Sequence, residues 1–87
     1  MKDIKNLRIP SNLATFLAMR GFNPRFYTKR LRRPTWMLEC AGGKWVCLEK
    51  FADGKIEITL ISPEWEESPK YHMWGPYIEE VSGYENA

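Results

Sequence analysis

Histidine and cysteine are nearly missing from this 87-residue chain, which holds one His and two Cys. His72 alone excludes a two-histidine metal site and leaves any Cys/His zinc site short of ligands. Two cysteines are too few for a disulfide scaffold, so Cys40 and Cys47 are expected as free thiols, which pack as small hydrophobes. A nucleophile pair of Cys40 or Cys47 with His72 is allowed by spacing, but nothing in the sequence marks it. The glycine-bearing stretches CAGGK and ADGK lack the spacing of a phosphate loop leading into a helix. No cofactor, no metal and no enzymatic activity are therefore expected.

Long hydrophobic runs are also lacking. No segment approaches the roughly 20 apolar residues of a membrane span, and MKDIKNLRIP has no apolar stretch like that of a signal peptide. With so few cysteines, a cytoplasmic protein with reduced thiols and no membrane partner is the expectation. Acids are the third scarcity, and a local one. Residues 1–33 carry nine Lys and Arg against Asp3 alone, a net +8. Residues 34–87 reverse this, with four Lys against ten acids, a net −6. Such asymmetry points to an acidic partner, to neutralisation within the fold, or to self-association through opposite-charge halves.

What is present argues for one folded domain. Apolar residues make up 44% and aromatics 14% of the chain, enough to offset the entropy of ordering it. The stretch TWMLECAGGKWVCLEKFADGKIEITLIS, residues 35–62, holds Gly42-Gly43 and Asp53-Gly54 between runs of β-formers, the signature of consecutive hairpins. With two-residue loops, Cys40 faces Trp45, Leu38 faces Cys47 and Trp36 faces Glu49; Phe51 then faces Ile56, Glu49 faces Ile58 and Cys47 faces Leu60. That register collects Trp36, Leu38, Cys40, Trp45, Cys47, Phe51, Ile56, Ile58 and Leu60 on one face. Met37, Glu39, Lys44, Val46, Leu48, Lys50, Glu57, Thr59 and Ile61 fall on the other. Cys40 and Cys47 share a face diagonally, where a disulfide would strain the hairpin. Glu49 is the anomaly, an acid among apolar residues that needs a basic partner or a place at the sheet's end.

The segment IPSNLATFLAMRGF supplies a cover for the apolar face. Ser11 is placed to cap a helix over 12–20 and Gly21 to end it, with Leu13, Phe16 and Leu17 as the stripe and Ala14 beside them. These elements define an α+β domain: an N-terminal helix packed on a three- or four-stranded antiparallel β-meander. An N-terminal arm covers 1–9, the helix and meander 10–62, and an aromatic, acidic tail 63–87. The tail reads as a loop across the core with a short helix or turn near PYIEEV.

RFYTKRLRRPTW, residues 25–36, puts five cations and three aromatics into twelve positions. Phe26, Tyr27 and Thr28 favour a strand pairing 25–31 with 35–41. A helix from Asn23 and Pro24 would instead give a helix-turn-helix with the hairpin as a wing, against which Leu17 stands where a small residue is usual. Cations neutralise phosphates and aromatics stack on bases. Arg20, Arg25, Tyr27, Lys29, Arg30, Arg32 and Arg33 are accordingly the candidates for contact with nucleic acid or an acidic protein surface. The alternative is a protein-binding accessory or inhibitor that uses Tyr71, Met73, Trp74 and Tyr77 in a Pro-bounded loop, with the basic segment steering an acidic protein partner.

Overall fold

The structure is a computed structural model that describes residues 9–30 and 35–81, with only the backbone described for 25–30. Helix α1 (Ser11–Met19) precedes six strands: β1 (Pro24–Arg30), β2 (Thr35–Cys40), β3 (Trp45–Lys50), β4 (Ile56–Ile61), β5 (Lys70–Trp74) and β6 (Tyr77–Glu80). They form one antiparallel sheet in chain order, β1-β2-β3-β4-β5-β6. The α+β class and the meander hold; the sheet has six strands rather than three or four.

The two additional strands come from the tail, read from sequence as a loop with a short helix or turn. β5 and β6 instead form a hairpin in which Trp74 pairs with Tyr77 across Gly75-Pro76. Gly75 takes φ +56° and proline holds its own φ negative, the sign pattern of a II′ turn suited to twisted strands. Along β5, Tyr71 and Met73 face the core while Lys70, His72 and Trp74 face away. Aromatic residues on both sides hide this alternation from a pattern based on hydropathy.

Both expected hairpins form, but each loop has three residues. The Cys40 N–H donates to the Lys44 carbonyl (2.9 Å) around Ala41–Gly43, and the Phe51 N–H donates to the Lys55 carbonyl (2.8 Å) around Ala52–Gly54. The last loop residue is a left-handed glycine in each case, Gly43 at φ +75° and Gly54 at φ +95°. The loop 52–54, in which the Gly54 N–H donates to the Phe51 carbonyl (3.0 Å), is the three-residue loop that ends in a glycine bulge, whereas in 41–43 Gly42 is left-handed as well, at φ +79°.

One extra residue at each end of β3 turns that strand over relative to both neighbours. Trp36 pairs with Leu48, Leu38 with Val46, and Glu39 with Trp45. Val46 in turn pairs with Leu60, and Leu48 with Ile58. β2 and β4 keep their expected faces, whereas Val46 and Leu48 replace Trp45, Cys47 and Glu49 on the core face. The anomaly of Glu49 disappears, because it lies on the outer face opposite Thr35 and Glu57. Cys40 and Cys47 therefore sit on opposite faces and are both free.

α1 covers the inner face. Leu13, Leu17 and Phe22 pack with Leu38, Cys40, Val46, Leu48, Ile58, Leu60 and Met73 into one buried cluster, flanked by Phe16, Trp36, Ile56, Tyr71 and Ile78. Ala14, expected beside the stripe, is exposed. The helix starts one residue earlier than expected. Pro10 is its N-cap and its carbonyl accepts from the Ala14 N–H (3.0 Å), while Ser11 makes no capping bond.

The C-terminus of the helix follows the expectation for Gly21. The Gly21 N–H donates to the Ala18 carbonyl (3.0 Å) and the Phe22 N–H to the Leu17 carbonyl (2.8 Å), with Gly21 at φ +81°. This is a Schellman motif, sealed by the hydrophobic contact of its end residues Leu17 and Phe22. No helix among the described residues is long and apolar enough to cross a membrane.

Candidate interaction surfaces on the sheet

The basic segment adopts the strand alternative over residues 24–30, which removes the recognition helix that a helix-turn-helix requires. Among the described residues β1 pairs with β2 alone, with Phe26 opposite Glu39, Tyr27 opposite Leu38, Lys29 opposite Met37 and Arg30 opposite Trp36. The register with β2 shifts between Pro24 and Phe26 and again between Tyr27 and Lys29, so β1 does not keep a regular two-residue alternation. Arg25, Tyr27, Lys29 and Arg30 thus lie on one edge strand. Arg32 and Arg33 lie outside the described residues.

Arg20 belongs to a different place. Its guanidinium stacks 4.0 Å from the Phe16 ring centroid and 5.6 Å from that of Tyr71, and it donates to the Phe16 carbonyl (3.4 Å). Phe16 and Tyr71 meet edge to face at 4.8 Å. Since Tyr71 is on β5, Arg20 is anchored at a strand separated from β1 by β2, β3 and β4.

The aromatic tail group divides between faces. Met73 is buried and half-buried Tyr71 packs against the core, so neither belongs to an exposed loop. Trp74 and Tyr77 lie on the outer face, 41% and 75% exposed, as a directly opposed pair. Trp65, in the connection between β4 and β5, is 44% exposed and leans on Phe22 at a ring distance of 5.7 Å.

The outer face carries a grouping that sequence reading missed. The His72 Nε2–H donates to the Glu57 carboxylate (3.1 Å), because a carboxylate only accepts. The Trp74 ring stands edge-on to the imidazole at 5.5 Å. The Lys55 ammonium lies 4.6 Å from the Phe51 ring centroid and 6.0 Å from that of Trp74. Glu49, Glu57, His72 and Glu79 follow one another across β3 to β6. Glu57 and His72 are joined only by the pairing of β4 with β5, and the β3–β4 and β5–β6 pairings add Glu49 and Glu79 on either side.

Among the described residues, no group of three or more His, Cys, Asp or Glu is arranged to hold a metal ion. Burial pushes the Cys40 thiol above its ordinary value, with Lys44 opposing and Glu39 adding to the effect. Burial raises Cys47 too, opposed by Lys70 and reinforced by Glu49 and Glu57. Raised thiols are mostly protonated near neutral pH and are poor nucleophiles.

Among the described residues the architecture is that of a small α+β domain, with α1 packed on an antiparallel meander. No family model matches the chain, and searches of curated proteins and of solved structures yield no match.

Proposed function

We propose that the protein is a non-enzymatic binding module whose basic N-terminal half, from Arg20 to Arg33, contacts nucleic acid, with β1 as the principal contact. The observation that carries this reading is the strand order. β1 contributes Arg25, Lys29 and Arg30 and no acid, and it lies at the edge opposite β6, which contributes Glu79 and Glu80. Four strands intervene, so ladder pairing does not bring the two charge sets together. A strand with three cations at a sheet edge supplies positive charge that can neutralise phosphates, with Phe26 and Tyr27 in the same strand as candidates for base stacking.

The test is anisotropy of labelled mixed-sequence single- and double-stranded DNA and of RNA, titrated at low and near-physiological salt. Binding should fall steeply with salt. On duplex DNA, replacing Arg25, Lys29 and Arg30 by Ala should reduce the salt slope by up to about 0.9 per lost phosphate contact. Replacing Arg30, Arg32 and Arg33 by Ala reports on the part of the segment beyond β1. Absence of binding to every nucleic acid at low salt overturns the reading.

A second reading rests on Trp74 and Tyr77, whose exposure as an opposed aromatic pair supports a protein-binding accessory or inhibitor. There the basic strand would steer an acidic protein partner, and Trp74→Ala would abolish capture of that partner while Arg30→Ala slowed it.

A further inference from the structure

A meander ends in two open edges, and here the edges differ in sign. β1 (PRFYTKR) carries three cations, and β6 (YIEE) carries two acids. Among the described residues no strand lies beyond either one. Each edge therefore has a row of backbone N–H and C=O groups directed away from its only partner strand, the template on which another chain can pair.

Charge decides which pairings are allowed. β1 against β1 opposes cations to cations, and β6 against β6 opposes acids to acids, so both two-fold arrangements are repulsive. Only β6 of one copy against β1 of the next brings unlike charges together.

The strand count makes that junction geometrically consistent. In an antiparallel meander of six strands, β1 and β6 run in opposite directions. A second copy in the same orientation can place its β1 beside β6 and continue the antiparallel alternation, with its helix on the same side of the sheet. An odd number of strands would have required a parallel junction, which is slightly less stable per residue.

We propose that the protein self-associates edge to edge, with β6 of one copy adding to β1 of the next. The partner of each edge is thus a second copy of this chain. The junction is heterologous, so growth is open-ended and does not stop at a dimer. The four residues of β6 set the length of the ladder, which makes each junction weak and dependent on the charge match. This inference goes beyond nucleic-acid binding and is tested without any nucleic acid.

The experiment is sedimentation equilibrium of the full chain across a wide concentration range, at low and at high salt. At low salt the weight-average mass should climb from 10.3 kDa past that of a dimer without a plateau. At high salt it should return towards the monomer. Glu79→Lys with Glu80→Lys should remain monomeric, and so should Arg25→Glu with Lys29→Glu, each checked for folding by circular dichroism. An equimolar mixture of the two variants has both junctions complementary again and should recover the association.

A mass of 10.3 kDa throughout the wild-type series overturns the proposal, as does a plateau at the dimer. Association that either folded variant retains alone, or that the mixture fails to restore, overturns it as well. The wild-type series decides the matter even if a variant fails to fold.

Discussion

Gly21 holds the left-handed conformation at φ +81° that closes the helix, and its carbonyl accepts from the Lys44 ammonium (3.1 Å). A Cβ added there would lie 3.3 Å from the Lys44 Nζ, the far end of a flexible side chain. The expected cost of Gly21→Ala is thus mainly backbone strain, about 1–2 kcal/mol, and chemical denaturation measures it. A drop below about 0.5 kcal/mol would mean that the Schellman closure contributes little.

The cysteines give a second residue-scale prediction. Cys40 titrates above its ordinary value in the folded protein, chiefly because it is buried. The folded state therefore holds the thiol proton more tightly than the unfolded chain does. The resulting stability is complete below the unfolded thiol pKa and is lost as pH rises through the folded one. Melting temperature should fall above about pH 9, and Cys40→Ala should reduce that fall. An equal alkaline decline in both proteins would assign it to other groups.

Among the elements, β3 is the one whose orientation depends on its two loops. With three residues in each, Val46 and Leu48 enter the core while Trp45, Cys47 and Glu49 turn outward. Deleting Cys47 inside β3, with Trp45 and Val46 held in place, moves Leu48 to the outward position of Cys47 and Glu49 to the inward position of Leu48. Glu49 facing the core would cost several kcal/mol, a large share of the roughly 5–15 kcal/mol that holds a domain together. Loss of cooperative thermal unfolding and of near-ultraviolet dichroism is the expected result. Retention of both with a shift under about 1 kcal/mol would show that the core does not depend on which face β3 presents.

For the whole molecule, strand order has more consequence than net charge. A formal charge of +2 describes a nearly neutral protein, whereas the sheet carries cations on one edge strand and acids on the other. Both proposed interactions draw on β1, so polyanion and neighbouring copy compete for the same strand. Both weaken with salt, because exposed charges more than about 10 Å apart are screened at 0.1 M ionic strength. Titration with labelled nucleic acid and sedimentation of the protein alone separate them, since each reads only one of the two interactions.

Much of this protein was legible in its sequence because the signals are local. Gly21 ends the helix, Gly43 and Gly54 close the hairpins, and Phe26 to Thr28 favour a strand, all through conformational preferences spanning a few residues. What remained hidden required distances that the chain closes only when folded. Two-residue and three-residue loops share the same glycine signal, yet they differ by one step of register and hence by the face of every β3 side chain. The tail hairpin was concealed because Tyr71 and Trp74 are both aromatic while one meets the core and the other solvent. The His72–Glu57 contact spans fifteen positions and exists only through the pairing of β4 with β5. The excess of cations in the first third was written in the sequence. Its position on a strand opposite the acidic edge was decided by the tertiary structure, because six strands in chain order carry the first and last of them to the two ends of the sheet.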